Sequence, residues 1–346
     1  MSGSSVAAMQ VGASFRAMQA DARLSEAFLP RVTLEEEAAI AEHLEAVVLD
    51  AHSWCDDWTL FNRGTILPVS LLTCVQFPHL TSLQVSLRVR STLWIYALDD
   101  AIDGGQIADG DLSGLLDECF AVARTGCADV AMHELARSLA HLRSELSVQP
   151  LWAAVFPAWI TSLDLLVDGM VREHAARQQM RSRGHLSAPL SIDEYLAFAS
   201  HSIGLPHQWV AGLAMEPDPE IAETLAPLVV LAERCGMVMR LANDGATWRR
   251  EEDEGGVNAV RLEQWSCSAG VPLNEAIRRA RRRVHGRMDQ ELQQCRELAA
   301  RLGDGSSVAH RFVRATEFGV DLYARHDFRT WADALNTALG RSVSCP

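Results

Sequence analysis

Lysine is absent from this chain of 346 residues, so all 31 of its basic side chains are arginine. That absence excludes Schiff-base chemistry and a P-loop lysine. Any direct cationic contact to a phosphate falls to arginine, whose planar fork suits it, or to histidine. Positive charge is also in short supply. Against 45 Asp and Glu the formal net charge is −14, which argues against a nucleic-acid surface or an anionic membrane as partner. The eight cysteines are scattered, with no Cys-x-x-C and no zinc-site spacing, and read as reduced thiols of a cytoplasmic protein. The first residues lack the apolar core of a signal peptide, and no window reaches the ~18 uncharged apolar residues of a membrane span. Finally, no linker rich in Pro, Gly or Ser divides the chain. We expect one domain over residues 26–340, with short tails at 1–25 and 341–346.

What remains is helical. At 48% hydrophobic, the chain has ample side chain for a large core. Helical rather than alternating periodicity runs through 35–50, 69–103 (broken near Pro78), 111–125, 129–146, 151–179 and 192–212. It continues through 219–232, 233–254, 272–301 and 307–340. Pro and Gly fall between these segments, at Pro68, Gly104-Gly105, Pro150, Pro189, Pro217, Gly255-Gly256 and Gly303. With no convincing strand and no repeat, the fold class is all-α, a bundle of about ten to twelve helices able to enclose an apolar cavity. The run from Arg278 to Arg283, with Arg287 beyond it, has Glu275, Asp289, Glu291 and Glu297 around it and reads as a solvated helix face.

Two acidic clusters carry the chemistry. Asp99, Asp100 and Asp103 end an apolar stretch, Leu93 to Leu98, that is too hydrophobic for a surface helix. Asp99 and Asp103 are i, i+4, so they share a helical face. Three carboxylates at a helix C-terminus also oppose the macrodipole, an arrangement that calls for a cation. Asn243, Thr247 and Glu251 stand at i, i+4 and i+8, one oxygen ligand per turn over two turns. Mg²⁺ takes hard oxygen ligands and is usually held by a few carboxylates together with substrate phosphates. The two sets therefore describe a diphosphate site that works through metal. Tyr96 lies one turn before Asp99 and Asp100, pointing beneath the metals, and Phe77 lies earlier on the same segment. Both are candidates for lining a substrate cavity.

At these residues the chain resembles the class I terpene synthases, in particular the short bacterial ones. Asp99, Asp100 and Asp103 match the family's aspartate-rich motif. Asn243, Asp244, Thr247 and Glu251 match its downstream Asn-Asp-x-x-Ser/Thr-x-x-x-Glu motif. Arg240-Leu241-Ala242, the segment Gly255 to Val260, Leu29-Pro30 and the stretch from Gly319 to Trp331 extend the likeness. The resemblance implies a single-domain class I terpene synthase fold around a central apolar cavity. It also implies a three-ion Mg²⁺ cluster held by Asp99, Asp103, Asn243, Thr247 and Glu251, a prenyl diphosphate substrate, and a homodimer. A helix break at Ser202-Ile203-Gly204-Leu205-Pro206 matches the place where relatives turn a backbone carbonyl, here that of Gly204, toward the substrate cation. Tyr323 falls where relatives place a cavity aromatic.

Two departures mark a divergent branch. Tyr195 to Gly204 holds no arginine where relatives carry a diphosphate-sensing one, and Arg240, about one turn before Asn243, is the substitute candidate. Arg329 matches the family's C-terminal arginine, but Thr330 replaces the tyrosine that follows it. The expected reaction is Mg²⁺-dependent ionisation and cyclisation of geranylgeranyl diphosphate, with farnesyl diphosphate second, to a terpene hydrocarbon or alcohol. Two alternatives stand beside it: a bicyclic diphosphate supplied by a class II cyclase, and chain elongation by an isoprenyl diphosphate synthase. Class II chemistry in this chain itself is not expected, since no Asp-x-Asp-Asp occurs.

Overall fold

The computed structural model describes residues 32–103, 109–127, 129, 131–183, 190–268, 270–303 and 307–338. The two tails, Leu29-Pro30, Gly104-Gly105, Pro189 and Cys345 lie outside the described residues. Thirteen α-helices and no strand are found among the described residues. The chain divides into two compact units, residues 1–153 with 328–346, and residues 154–327.

The first unit contains α1 (Leu34–Cys55), α2 (Ile66–Gln76), α3 (Ser82–Asp103), α4 (Asp109–Thr125), α5 (Glu134–Ser147) and α13 (Phe328–Ala338). Thr33 and Glu36 form a capping box that starts α1. The break near Pro78 falls between α2 and α3, as the sequence indicates. The stretch from Leu93 to Leu98 is buried apart from Tyr96, and the Trp94 indole donates to the Leu135 carbonyl at 2.9 Å. Arg90 joins three helices, donating to Asp50 on α1 at 2.9 Å and to Glu145 on α5 at 2.6 Å. These contacts fix the helix that ends in Asp99, Asp100 and Asp103.

The second unit holds α6 (Trp152–Arg183, all but its first two residues), α7 (Ile192–Ser202), α8 (Leu205–Leu213), α9 (Leu225–Glu254), α10 (Ala259–Cys267), α11 (Leu273–Arg301) and α12 (Ser307–Arg325). Helix α9 is its hub, packed against α7, α8, α10, α11 and α12. The periodicity at 219–254, read as two helices, is one, preceded by a short 3₁₀ turn at Pro219–Ala222. Gly255, at φ 75°, ends α9 in the left-handed region that glycine accepts without strain. Helix count exceeds the expected ten to twelve because 307–340 divides between α12 and α13, 192–212 divides between α7 and α8, and α10 has no counterpart among the expected segments. Over Trp152–Ser182 one helix is long and apolar enough to cross a membrane. The core helix of a globular unit passes the same test. Trp159, Leu163, Leu166 and Met170 on this helix are buried within the protein.

Candidate active site

In the first unit Asp103 is the last residue of α3, half-buried, while Asp99 and Asp100 are exposed. Partial desolvation raises the Asp100 carboxyl above its ordinary value, Asp103 raises it further, and Arg329 opposes both. Burial and a like charge thus both work against a charged Asp100 at this helix end. Tyr96 is half-buried and packs edge-on against Phe328 at 5.6 Å between centroids. Phe77 takes a different place from the cavity wall expected of it. It is 1% exposed, and the Arg88 guanidinium covers its ring at 4.1 Å. Its π-face is already committed to a cation of the protein.

In the second unit Asn243, Thr247 and Glu251 fall on one face of α9, and Arg240 and Asp244, on the same side of that helix, are pinned. Asp244 is fully buried. One oxygen, Oδ2, accepts the Tyr195 hydroxyl at 3.0 Å and the Ala259 N–H at 2.8 Å; the other lies 3.0 Å from Arg240 Nε. Burial pushes the Asp244 carboxyl up to about 7, with Arg240 opposing the rise. The adjacent guanidinium and the Ala259 N–H favour the charged form without cancelling that rise, to which Glu251 and Glu173 add. Arg240 donates through Nε to the Tyr195 hydroxyl at 2.7 Å and through Nη2 to Glu173 at 2.7 Å. Burial works to raise the Glu173 carboxyl, but Arg240, Ser202 and Arg177 outweigh it and hold it below its usual value. The arginine expected to touch diphosphate is therefore 7% exposed and engaged on Nε and Nη2 by its own protein.

Asn258, the N-cap of α10, holds the ligand face itself. Its Nδ2 donates to the Asp244 carbonyl at 3.0 Å and to Glu251 Oε2 at 2.8 Å, while its Oδ1 accepts the Val260 N–H at 2.8 Å. Thr247 donates its hydroxyl proton to the Asn243 carbonyl at 3.0 Å, and its oxygen accepts weakly from Asn258 Nδ2 at 3.5 Å, leaving one lone pair for a metal. Tyr323, expected on the cavity wall, shares a side-chain hydrogen bond with Asn243, and burial raises its phenol.

The break between α7 and α8 occurs at Gly204, at φ 77°, with Pro206 in the first turn of α8. Its carbonyl accepts the Gln208 N–H at 3.0 Å, so one lone pair remains for another partner. Two glycines on neighbouring helices make room for the break. A Cβ on Gly169 would meet the Phe198 carbonyl at 2.7 Å, and one on Gly236 would meet Pro206 at 2.5 Å. Ser202, just ahead of the break, donates to Glu173 at 2.6 Å. Just after it, His207 Nδ1 lies 2.8 Å from Ser162 Oγ, whose own proton goes to the Trp159 carbonyl at 2.8 Å. Nδ1 must therefore carry the imidazole proton, and burial pushes this ring down to about 3.

The donor set fits Mg²⁺ in its chemistry: Asp99, Asp103, Asn243, Thr247 and Glu251 supply only hard oxygens. Among the described residues no three His, Cys, Asp or Glu side chains close into a metal-holding group of their own. Sequence reasoning missed Tyr195, Glu173, Ser202 and Asn258. Only Asn258 had a signal, its place in the familial stretch Gly255 to Val260.

The comparisons agree with the motifs. The description terpene synthase family 2, C-terminal metal binding, matches residues 90–290, which include both ligand sets. The chain belongs to this family of enzymes. The ent-pimara-9(11),15-diene synthase of Streptomyces sp. (strain KO-3988) is 25% identical over 238 residues, 68% of this chain and 73% of its own length. Linalool/nerolidol synthase from Streptomyces clavuligerus, in complex with 2-fluorogeranyl diphosphate, superposes with a TM-score of 0.60 at 18% identity, covering 88% of this chain and 96% of that one. For 2-methylisoborneol synthase from Streptomyces coelicolor A3(2), in complex with Mg²⁺ and geranyl-S-thiolodiphosphate, the TM-score is 0.62 at 17% identity, covering 84% and 90%. At these identities the solved structures establish the all-α class I terpene synthase fold.

Proposed function

We propose that this terpene synthase uses Mg²⁺ to ionise a linear prenyl diphosphate, geranylgeranyl diphosphate ahead of farnesyl diphosphate. It then closes the carbocation to a cyclic hydrocarbon or alcohol and releases diphosphate. The observation that carries this reading is the all-oxygen ligand face Asn243, Thr247 and Glu251, held by Asn258 from the adjoining helix. The C20 preference is supported by the diterpene synthase relative at 25% identity, since the monoterpene and sesquiterpene names among the solved structures stand at 16–19%.

In this reading Asp99, Asp103, Asn243, Thr247 and Glu251 hold the metal, and bound Mg²⁺ supplies Lewis-acid stabilisation of the leaving diphosphate. Arg329, exposed beside Asp100, contacts the diphosphate, whereas Arg240 serves by fixing the register of α9. The Gly204 carbonyl and the Tyr96 ring face the cation, which a dry aromatic wall stabilises by ~2 kcal/mol or more. Tyr323 orients Asn243. We assign residues 26–340 to one catalytic domain of a cytoplasmic homodimer, in keeping with the reduced, mostly buried cysteines.

The test is incubation with Mg²⁺ and, separately, geranyl, farnesyl and geranylgeranyl diphosphate, with gas chromatography–mass spectrometry of the extract. A cyclic C20 product that vanishes in Asn243→Ala and in Asp99→Ala is the expected result. A product only from farnesyl diphosphate would shift the substrate assignment. Chain elongation on adding isopentenyl diphosphate, with no cyclic product, would replace the reading.

A further inference from the structure

A basic groove lies away from these ligands, between α9 and α11. Six arginines and one glutamate occupy residues 273–287, in a chain whose net charge is −14. Arg278, Arg281, Arg282 and His285 line a groove of about 790 Å³ with Arg249 of α9; Trp248 and Ile277 are its apolar lining and Asp289 its one carboxylate. Neutralisation is incomplete. Glu275 alone serves Arg278 at 2.5 Å, Arg279 at 2.9 Å and Arg282 at 3.7 Å. Arg283 and Arg287 turn to Glu263 and Asp193. Arg249 and Arg281 have no carboxylate partner among the described residues; Arg249 packs on Trp248 at 5.1 Å. Because Arg249 is two residues from Thr247 and two from Glu251, helical geometry turns it to the opposite side of α9 from the metal-ligand face.

We infer that this groove binds a diphosphate, free or as the head of a prenyl chain, at a site separate from the metal-ligand face. Unpaired guanidinium forks suit phosphate oxygens, and always-charged arginine needs no metal to hold them. A nucleic acid is a poor occupant, since the basic surface is one groove on an acidic protein rather than a continuous track. The inference stands on the groove alone and does not need the catalytic reading to hold.

Calorimetry with inorganic diphosphate in EDTA tests it, because metal-dependent binding is silent there. Saturable binding is expected, weakened at least tenfold in Arg281→Glu and in Arg249→Glu, with circular dichroism unchanged and turnover of prenyl diphosphate retained in Arg281→Glu. A geranylgeranyl thiolodiphosphate that binds tenfold more tightly than inorganic diphosphate assigns the groove to a prenyl chain; equal affinity assigns it to free diphosphate. No binding in EDTA overturns the inference, as does affinity unchanged in both variants. Loss of turnover together with binding in Arg281→Glu overturns the separateness of the site.

Discussion

Arg240→Met removes the cation at the centre of the group beside the metal-ligand face. The side chain keeps most of its length, so packing along α9 is preserved while the guanidinium is lost. Two carboxylates are then left without it: Asp244, fully buried, and Glu173, with a side chain 14% exposed. Breaking a buried pair by removing one partner costs about 3–5 kcal/mol, and the Tyr195 hydroxyl also loses a charged donor. The pH dependence of the Glu173 contribution changes sign as well. With Arg240 present the Glu173 carboxyl is held below its ordinary 4.5, so its contribution to stability is present above that value and lost as pH falls. Without Arg240, burial is the dominant influence and lifts Glu173 above 4.5. Its folded form then binds protons more tightly than its unfolded form, and stability falls as pH rises. Urea unfolding of both proteins at about pH 5 and about pH 8 reads this directly, with the larger deficit expected at the higher pH. A double cycle with Glu173→Gln should return a coupling of ~1–3 kcal/mol. A deficit under about 1 kcal/mol that is the same at both pH values would refute the argument.

Three further outcomes follow from the same geometry. Asn258→Ala frees Glu251 Oε2, and the Mg²⁺ concentration for half-maximal turnover should rise about tenfold, as on loss of other partners that orient metal ligands; an unchanged Mg²⁺ requirement in steady-state assays would remove Asn258 from the metal site. His207, at about 3 when folded and 6.5 in the reference state, makes stability fall as pH drops from 6.5 toward 3. At about pH 5 that loss is ~2 kcal/mol and should be missing from the unfolding curve of His207→Gln. Phe77→Leu should cost ~1–2 kcal/mol through lost packing and lost contact with Arg88, yet leave the product spectrum unchanged by gas chromatography. An altered product ratio at full stability would return Phe77 to the cavity wall.

What could be read in the sequence was local. Ligands at four-residue steps announce one helical face, and the apolar stretch ahead of Asp99 announces a buried helix. The group formed by Tyr195, Glu173 and Arg240 left no such trace. Its members are 45 and 67 residues apart, and only packing of α6, α7 and α9 joins them. A break in α9 was expected between residues 232 and 233. In the fold Arg234 reaches outward to Glu291 at 2.9 Å, so the helix continues. Between α12 and α13 the reverse holds. The helix ends with neither Pro nor Gly, so neither usual sequence marker was present. Phe77 shows a further limit, since aromatic character at the right place on a segment does not say what covers the ring.

The two ligand sets differ in how firmly they are held, and this predicts an order of events. Beside Asn243, Thr247 and Glu251 stand Tyr195, Glu173 and Arg240, and Asn258 fastens both Glu251 and the Asp244 carbonyl. That face is preorganised, so binding there does little further ordering. At the end of α3 the position is reversed. Asp99 and Asp100 are exposed in the last turn, Asp103 raises the carboxyl of Asp100, and all three oppose the helix dipole. A terminal turn under such repulsion opens readily, and a divalent cation removes its cause. Hydrogen exchange should therefore show slow exchange at residues 243–251 and fast exchange at 99–103 in EDTA. On adding Mg²⁺ with a thiolodiphosphate analogue, protection should rise chiefly at 99–103, by tenfold or more if about 1.4 kcal/mol of opening free energy is gained. An equal or larger gain at 243–251 would mean that the network does not preorganise α9, and the division between a fixed and an adjustable ligand set would have to be abandoned.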